Sequence, residues 1–280
     1  MVTRQDYTQE AVDGCLSVMV EIMTILGEFR DYIVLVGGWV PYFLLPEKKE
    51  DHTGSMDIDL ALDHEHITDD SYRTILQLLD RHGYKESEKQ PFIFFKEIQI
   101  DDARPLTVEI DFLSAEYGGT SNEHRTQNVQ GIRARKARGS DLAFSDYSKI
   151  KVSARMPDGA VNEVSIKVSN VVPFIVMKGM ALWKSPKEKH PYDIYFIISN
   201  YTGGLDSIVK TFKPYLGNKL VLEGLGKIKK KFETPGSIGP TWIANFESHL
   251  SEEDKDLLRR DAFERVKAFL DQLNIEAFED

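Results

Sequence analysis

The stretch from Val34 to Asp63 constrains the fold more than any other part of the chain. It opens with an apolar, β-branched run that ends at Gly37-Gly38, and apolar residues at helical spacing follow from Trp39 to Leu45. This order predicts a buried strand that turns through two glycines into a short helix. The backbone of such a turn can approach an anion closely, and the helix dipole favours negative charge there. We therefore expect a phosphate-binding turn at Gly37 and Gly38.

Two later segments place acidic residues on one face of a strand. In Met56–Leu62, Asp57 and Asp59 alternate with apolar residues, and Leu106–Leu113 repeats this pattern around Asp111. Side chains alternate along a strand, so the acidic residues of each segment share a face. Neighbouring carboxylates repel one another, and a divalent cation is the simplest compensation. The three aspartates are thus predicted metal ligands, in the manner of two-metal sites whose ions lie ~3.5–4 Å apart.

The overall charge argues against one class of function. The chain has 280 residues and a net charge of −10, so it is not expected to bind nucleic acid through general phosphate attraction. Two basic clusters are interpreted as solvated helix faces. They consist of Arg133, Arg135, Lys136 and Arg138, and of Lys227, Lys229, Lys230 and Lys231.

The sequence gives no indication of secretion. The N-terminus is polar, and the longest apolar run, Val171 to Trp183, is interrupted by Lys178 and is too short to span a bilayer. We expect a cytoplasmic protein with no membrane association. Cys15 is the single cysteine and lies in an amphipathic pattern, where it is predicted to be a small core residue.

The hydrophobic periodicity changes once along the chain. Strand and helix patterns mix up to residue 168, with a polar stretch at 116–148 that is predicted to be a long loop with one short helix. A hairpin pattern follows at 149–168. From residue 169 the period is helical. The prediction is an α+β fold, in which a mixed β-sheet with flanking helices (1–168) is followed by an all-helical domain (169–280).

Two charged residues of the helical half stand in apolar surroundings. Lys178 interrupts an apolar helix, where a lysine either snorkels to the surface or meets an anion. Asp193 stands among aromatic residues near the start of a helix, where the dipole favours a negative charge. For Lys178 and for Asp193, these arguments allow either a purely structural role or a role in function.

Taken together, these motifs resemble a known superfamily. A diglycine turn, a short helix, an Asp-hydrophobic-Asp pair and a later strand aspartate are similar to the polymerase-beta-type nucleotidyltransferases. A lysine in an apolar helix, then a basic loop and Asp193-Ile194-Tyr195, is similar to the AbiEii-type nucleotidyltransferases, which are toxins of abortive-infection and toxin–antitoxin systems. The resemblance implies a nucleotidyltransferase-like (palm-like) first domain that moves a nucleoside monophosphate from a nucleoside triphosphate to an acceptor.

The resemblance also implies residue roles. Two Mg²⁺ ions are expected on the three aspartates, with Asp111 also taking the proton of the acceptor hydroxyl. Lys178 is expected to reach the triphosphate across a domain cleft, and Asp193 to position Lys178 or the base and ribose. The expected catalytic residues are Asp57, Asp59, Asp111, Lys178 and Asp193, and the expected nucleotide-binding residues are Gly37, Gly38, Ser55 and Lys178.

The chain departs from the family pattern before the aspartate pair. Relatives often carry Arg-x-Ser or Arg-x-Thr there, whereas this chain has Thr53-Gly54-Ser55. The triphosphate contact of the missing arginine then falls to another residue, and the nearby candidates are Lys48, Lys49 and His52.

Three functions remain open. The first is a toxin that acts on tRNA or on a protein and has a cognate antitoxin as partner. The second is a transferase that modifies a small-molecule antibiotic, because Val36-Gly37-Gly38-Trp39-Val40 also resembles the lincosamide and aminoglycoside nucleotidyltransferases. The third is a catalytically inactive nucleotide-binding module. The helical half with Lys178 and Asp193 favours the toxin.

Overall fold

The chain forms two compact units in a computed structural model that describes residues 2–63, 65–99, 105–114, 126–129 and 132–279. The first, here called the sheet unit, consists of Thr8–Val40 and Gly54–Asn170. The second, the helical unit, consists of Met1–Tyr7, Pro41–Thr53 and Val171–Asp280. The helical unit therefore includes two short segments from the first half of the sequence. A single boundary along the chain, such as the one predicted near residue 168, does not separate the two units.

The sheet unit is built on one mixed sheet. Its strands in the described part of the chain are β1 (Ile33–Val36), β2 (Asp57–Leu62), β3 (Lys85–Glu86), β4 (Ile93–Gln99), β5 (Pro105–Ser114), β6 (Thr126–Val129), β7 (Ile132–Lys136), β8 (Tyr147–Arg155) and β9 (Val161–Ser169). Their order is β3-β4-β5-β2-β1-β9-β8, with β7 also paired to β5 and β6 paired to β7. The pairs β1–β9, β2–β5 and β5–β7 are parallel, and the others are antiparallel.

Helices occur in both units. Those that begin in the sheet unit are α1 (Gln9–Ile25), α2 (Val40–Leu44), α3 (Asp69–Arg81) and α4 (Ser140–Ser145). Those of the helical unit are α5 (Val171–Lys184), α6 (Lys189–Asn200), α7 (Gly204–Phe212), α8 (Lys219–Lys231), α9 (Ile238–Phe246) and α10 (Glu252–Gln272). The expected combination of a mixed sheet with helices is confirmed.

The core of the sheet unit lies between α1 and the strands. The helix begins at Thr8, whose side chain accepts a hydrogen bond from the backbone N–H of Ala11, a common N-cap. It packs against β2, β5, β8 and β9 through a stripe that includes Cys15, Met19 and Ile22, all inaccessible to solvent. Cys15 is thus a core residue, as its position in an amphipathic pattern predicts.

The helical unit holds α5 in close contact with α8. A Cβ atom at Gly179 of α5 would lie 2.3 Å from the backbone oxygen of Gly224 in α8, so only glycine permits this approach. Leu225 and Ile228 of α8 are buried in the same unit. The helix that carries Lys178 consequently packs closely against α8 around Gly179.

The long loop predicted at 116–148 is wrong for much of its described part, whereas the one short helix predicted there is present as α4. This stretch contains β6, β7 and α4, and β8 begins at Tyr147, whereas 116–125 and 130–131 lie outside the described residues. Strand β7 has the sequence Ile-Arg-Ala-Arg-Lys, which contains too few apolar residues to predict a strand. It is a strand because its backbone pairs with β5 and β6. Arg135 accordingly lies on a strand and not on a solvated helix.

Among the described residues, no helix is both long and apolar enough to cross a lipid bilayer.

Candidate functional site

The acidic face of the sheet unit is formed by two parallel neighbours, β2 and β5. Asp59 pairs with Asp111, and Asp57 pairs with Glu109. Paired residues on adjacent strands project to the same face, so these four carboxylates share one side of the sheet. The opposite side carries Ile58 and other apolar residues that are inaccessible to solvent, namely Leu60, Ile110 and Phe112. Burial of that side fixes the register, because a slip of one residue would exchange the faces.

The first glycine of the diglycine turn lies against Asp59. Gly37 has φ +74°, and a Cβ atom there would stand 1.8 Å from Oδ2 of Asp59. The approach follows from the pairing of Val36 with Asp59 at the end of β1. A side chain at this position would collide with the carboxylate, which gives a steric reason for glycine.

The turn differs from the expected strand-to-helix anion site in one respect. Gly37–Trp39 form a 3-10 turn, and the α-helix that follows has only five residues. Such a short helix has a weak dipole, so backbone accessibility rather than the dipole is what Gly37 and Gly38 offer a phosphate. Their role in nucleotide binding stays a prediction.

Asp111 is a buried carboxyl group with one unsatisfied oxygen. It is 2% exposed, and its Oδ2 accepts a hydrogen bond from Nη1 of Arg135 at 2.7 Å. No described residue donates a hydrogen bond to Oδ1, which is also buried. Burial, and then repulsion from Asp59, raises the pKa of Asp111 to about 8, although Arg135 acts in the opposite direction. Near neutral pH the Asp111 carboxyl group therefore favours its protonated form, and a cation at Oδ1 would take the place of that proton.

Asp57 lies beside Ser55. The Oγ of Ser55 donates a hydrogen bond to Oδ1 of Asp57 at 2.5 Å, and Ser55 is almost completely buried. The structure thus places Ser55, which the resemblance assigns to the triphosphate, next to a predicted metal ligand. Its hydroxyl orients the Asp57 carboxylate.

The fit of this face to Mg²⁺ can be judged from its donors. Carboxylate oxygens are the ligands that Mg²⁺ prefers, and Oδ1 of Asp111 is a buried oxygen that lacks a partner among the described residues. Within the same described residues, no group of three or more His, Cys, Asp and Glu side chains is already arranged to hold a metal ion. The donor chemistry fits, and Asp59 and Asp111 are the pair that the structure brings side by side.

The helical unit contains a second cluster, centred on Asp193. Its carboxylate is inaccessible to solvent and accepts hydrogen bonds from Nζ of Lys178 and Nζ of Lys189, both at 2.7 Å, and from Nε2 of His52 at 3.0 Å. Burial alone would raise the pKa of Asp193, but Lys178 and Lys189 outweigh it and hold that pKa well below its ordinary range. The carboxylate is therefore ionised, so Nε2 of His52 carries the shared hydrogen.

His52 is neutral within this cluster. Burial is the largest cause, and the nearby Lys189 adds to it, so that the pKa of His52 falls to about 4. Its candidacy as a triphosphate contact is weakened by this burial, because its ring is committed to Asp193. Lys48 and Lys49 are exposed, and Lys48 forms an ion pair with Asp51.

Sequence reasoning missed the roles of Lys189 and Arg135. Lys189 precedes Asp193 by one helical turn, a spacing that brings the two side chains together and could have indicated the pair. Arg135 gives no comparable signal, because its contact with Asp111 depends on the pairing of β7 with β5. Lys178 is not a snorkelling lysine, since its side chain is 10% exposed and bound to Asp193.

No protein-family model matches the chain, and no curated protein matches its sequence. Function must consequently be inferred from the two clusters themselves.

Proposed function

We propose that the chain is a Mg²⁺-dependent nucleotidyltransferase, which moves a nucleoside monophosphate from a nucleoside triphosphate to an acceptor. The observation that carries this proposal is the pairing of Asp59 with Asp111 at a position where Gly37 lies against the Asp59 carboxylate. Carboxylates gathered beside an accessible backbone turn suit a cation that binds phosphates. The nucleotidyltransferase-like arrangement of the sheet unit is part of the same proposal.

The residues of the sheet unit have separate tasks in this proposal. Asp57, Asp59 and Asp111 would hold Mg²⁺, which supplies neutralisation of the phosphate charge when it is bound. Ser55 orients Asp57 through its hydrogen bond, and Gly37 keeps the space beside Asp59 free of side-chain atoms. Asp111 contributes the oxygen that lacks a protein partner among the described residues, and its role as proton acceptor rests on the resemblance alone.

The cluster of the helical unit supports an anionic ligand. The ammonium groups of Lys178 and Lys189 are both directed at the Asp193 carboxylate, beside the neutral imidazole of His52. A buried cation held by several hydrogen bonds is preorganised and loses little entropy when it binds a phosphate. This charge supports the role in triphosphate binding that the resemblance implies for Lys178.

Transfer can be tested directly with labelled triphosphates. The purified chain is incubated with each α-labelled nucleoside triphosphate, Mg²⁺ and a cell extract, and labelled products are separated as RNA, protein or small molecule. Asp59→Asn and Asp111→Asn are each expected to lower transfer by about 10²-fold or more, because electrostatic stabilisation is lost. Glu163→Gln, an exposed ion-pair residue of β9, is the matched control. Undiminished transfer by both aspartate variants would contradict the proposal.

Within this class we propose the toxin of an AbiEii-type system, with tRNA or a protein as acceptor and a cognate antitoxin. Induced expression is expected to arrest growth, and Asp59→Asn is expected to abolish the arrest while the chain accumulates normally. If the variant arrests growth as strongly as the parent chain, the arrest does not depend on nucleotidyl transfer and the toxin assignment is refuted. Drug resistance conferred by the parent chain would instead favour the antibiotic-modifying alternative.

A further inference from the structure

Arg135 lies on the acidic face, next to Asp111 and on the neighbouring strand β7. It pairs with Leu113 of β5, which is two residues after Asp111, so the two side chains project to the same side of the sheet. Strand β4 pairs with β5 as far as Asp111, and β7 pairs with it from Leu113 onward. This change of neighbour brings a guanidinium group next to the carboxylates.

Arg135 and Asp111 form an ion pair. Nη1 of Arg135 holds Oδ2 of Asp111 at 2.7 Å, and this positive charge opposes the repulsion that Asp59 and Glu109 exert on Asp111. A divalent cation on Asp111 would serve the same electrostatic purpose. Because both positive groups repel each other and use the same carboxylate, binding of the cation and retention of the ion pair compete.

The side chain of Arg135 is exposed enough to leave Asp111 and bind another group. Its side chain is 46% exposed, whereas that of Asp111 is 3% exposed. Water can solvate the guanidinium group of Arg135 after release, whereas the buried carboxyl group of Asp111 needs the incoming cation in its place. A released guanidinium group offers several N–H donors in the planar arrangement that matches phosphate oxygens.

We propose that Arg135 is an exchangeable partner of Asp111: it holds the Asp111 carboxyl group in the cation-free protein and, once a divalent cation takes over Asp111, binds a phosphate of the nucleotide. This inference rests on the proposed nucleotidyltransferase function. Arg135 becomes a binding residue for the triphosphate, and no covalent bond is made or broken in the exchange.

The first experiment measures binding of Mn²⁺ alone, by electron paramagnetic resonance, to the full chain without nucleotide. Arg135→Gln is expected to bind Mn²⁺ about tenfold more tightly, because it removes a positive charge that lies against the same carboxyl group. Arg135→Lys, which keeps the charge, should remain near the parent. Arg155→Gln, an exposed arginine of β8 that bonds to a backbone oxygen, is the control and should not change affinity.

The second experiment measures nucleotide affinity at saturating Mg²⁺ with a non-transferable triphosphate analogue. Here Arg135→Gln is expected to bind about tenfold more weakly, and Arg135→Lys should recover only part of the loss because it lacks the planar fork. Opposite changes in the two affinities distinguish exchange from a structural role, which would weaken both. Unchanged or weaker Mn²⁺ binding by Arg135→Gln would overturn the proposal.

Asp111→Asn separates failure of this inference from failure of the proposed function. If that substitution leaves the Mn²⁺ affinity unchanged, Asp111 is not a ligand of the cation and both proposals fall. If Mn²⁺ binding requires Asp111 but does not respond to Arg135→Gln, only the exchange is refuted.

Discussion

Asp59 and Asp111 are paired in direct register on the neighbouring parallel strands β2 and β5, so their side chains lie next to each other on one side of the sheet. Each reaches this position because apolar neighbours on the same strand are buried on the other face of the sheet. Repulsion between the two carboxyl groups contributes to the raised pKa of Asp111. The sheet thus holds like charges together at a cost that a bound cation would offset.

Substitution of Gly37 should disrupt this arrangement. We expect Gly37→Ala to abolish Mn²⁺ binding and to lower the free energy of unfolding by about 2 kcal/mol or more, because strain from a positive φ adds to a collision with Oδ2 of Asp59. Urea unfolding and Mn²⁺ titration provide the measurements.

Gly83 provides a matched control. Its φ is +77°, and a Cβ atom there would have no neighbour within 4 Å, so Gly83→Ala carries the backbone strain without the collision. We expect a loss of about 1 kcal/mol and unchanged cation binding. Equal losses of stability in the two variants would show that the close approach to Asp59 is not significant.

The stability of the cation-free chain should depend on pH through Asp111. Its folded pKa of about 8 exceeds the ordinary value of 3.8, so its contribution is complete below 3.8 and is lost as the pH rises through 8. The stability of the parent relative to Asp111→Asn should therefore fall between pH 5 and pH 8.5. Urea midpoints of both proteins, measured across that range, check the sign.

Mg²⁺ should reverse this loss. A cation that replaces the proton on Asp111 stabilises the chain more at pH 8.5 than at pH 6, where proton and cation compete. The readout is the shift of the unfolding midpoint on addition of Mg²⁺ at each pH. A larger shift at pH 6 would contradict the assignment of Asp111 as a ligand.

His52 predicts a pH dependence of opposite sign. Its folded pKa of about 4 lies below the ordinary 6.5, so its contribution is present above 6.5 and is lost as the pH falls toward 4. The advantage in stability of the parent over His52→Gln should shrink by up to about 3 kcal/mol across this window. The measurement compares urea midpoints at pH 7.5 and pH 4.5, with the half-exposed His249→Gln as control.

The cluster around Asp193 should respond unequally to removal of its charges. Asp193→Asn leaves Lys178 and Lys189 buried without their carboxylate, and we expect a loss of about 3–5 kcal/mol. Lys178→Met leaves Asp193 with Lys189 and His52, so the expected loss is smaller, about 1–3 kcal/mol. Urea unfolding of both variants tests the order. A larger loss for Lys178→Met would refute the central position of Asp193.

The alternation of residues in the sequence was sufficient to predict the strands that carry the site. Asp57 and Asp59 share a face because side chains alternate along a strand, and the same reasoning applies to Asp111. The end of β1 was likewise predictable from Gly37 and Gly38, which follow its apolar run. Such features are local, since they depend on residues within one turn or one strand.

Partners from distant parts of the chain were not predictable in this way. The Arg135–Asp111 ion pair exists because β7 continues the edge of β5 where β4 ends. The His52–Asp193 hydrogen bond exists because the segment Pro41–Thr53 belongs to the helical unit rather than to the strands on either side of it. In this protein the sequence by itself determined which side chains share a strand face or a helix turn, because backbone geometry repeats over a few residues. Only the tertiary structure decided which of those faces meet and which charges neutralise one another, because strand pairing and burial depend on the whole chain.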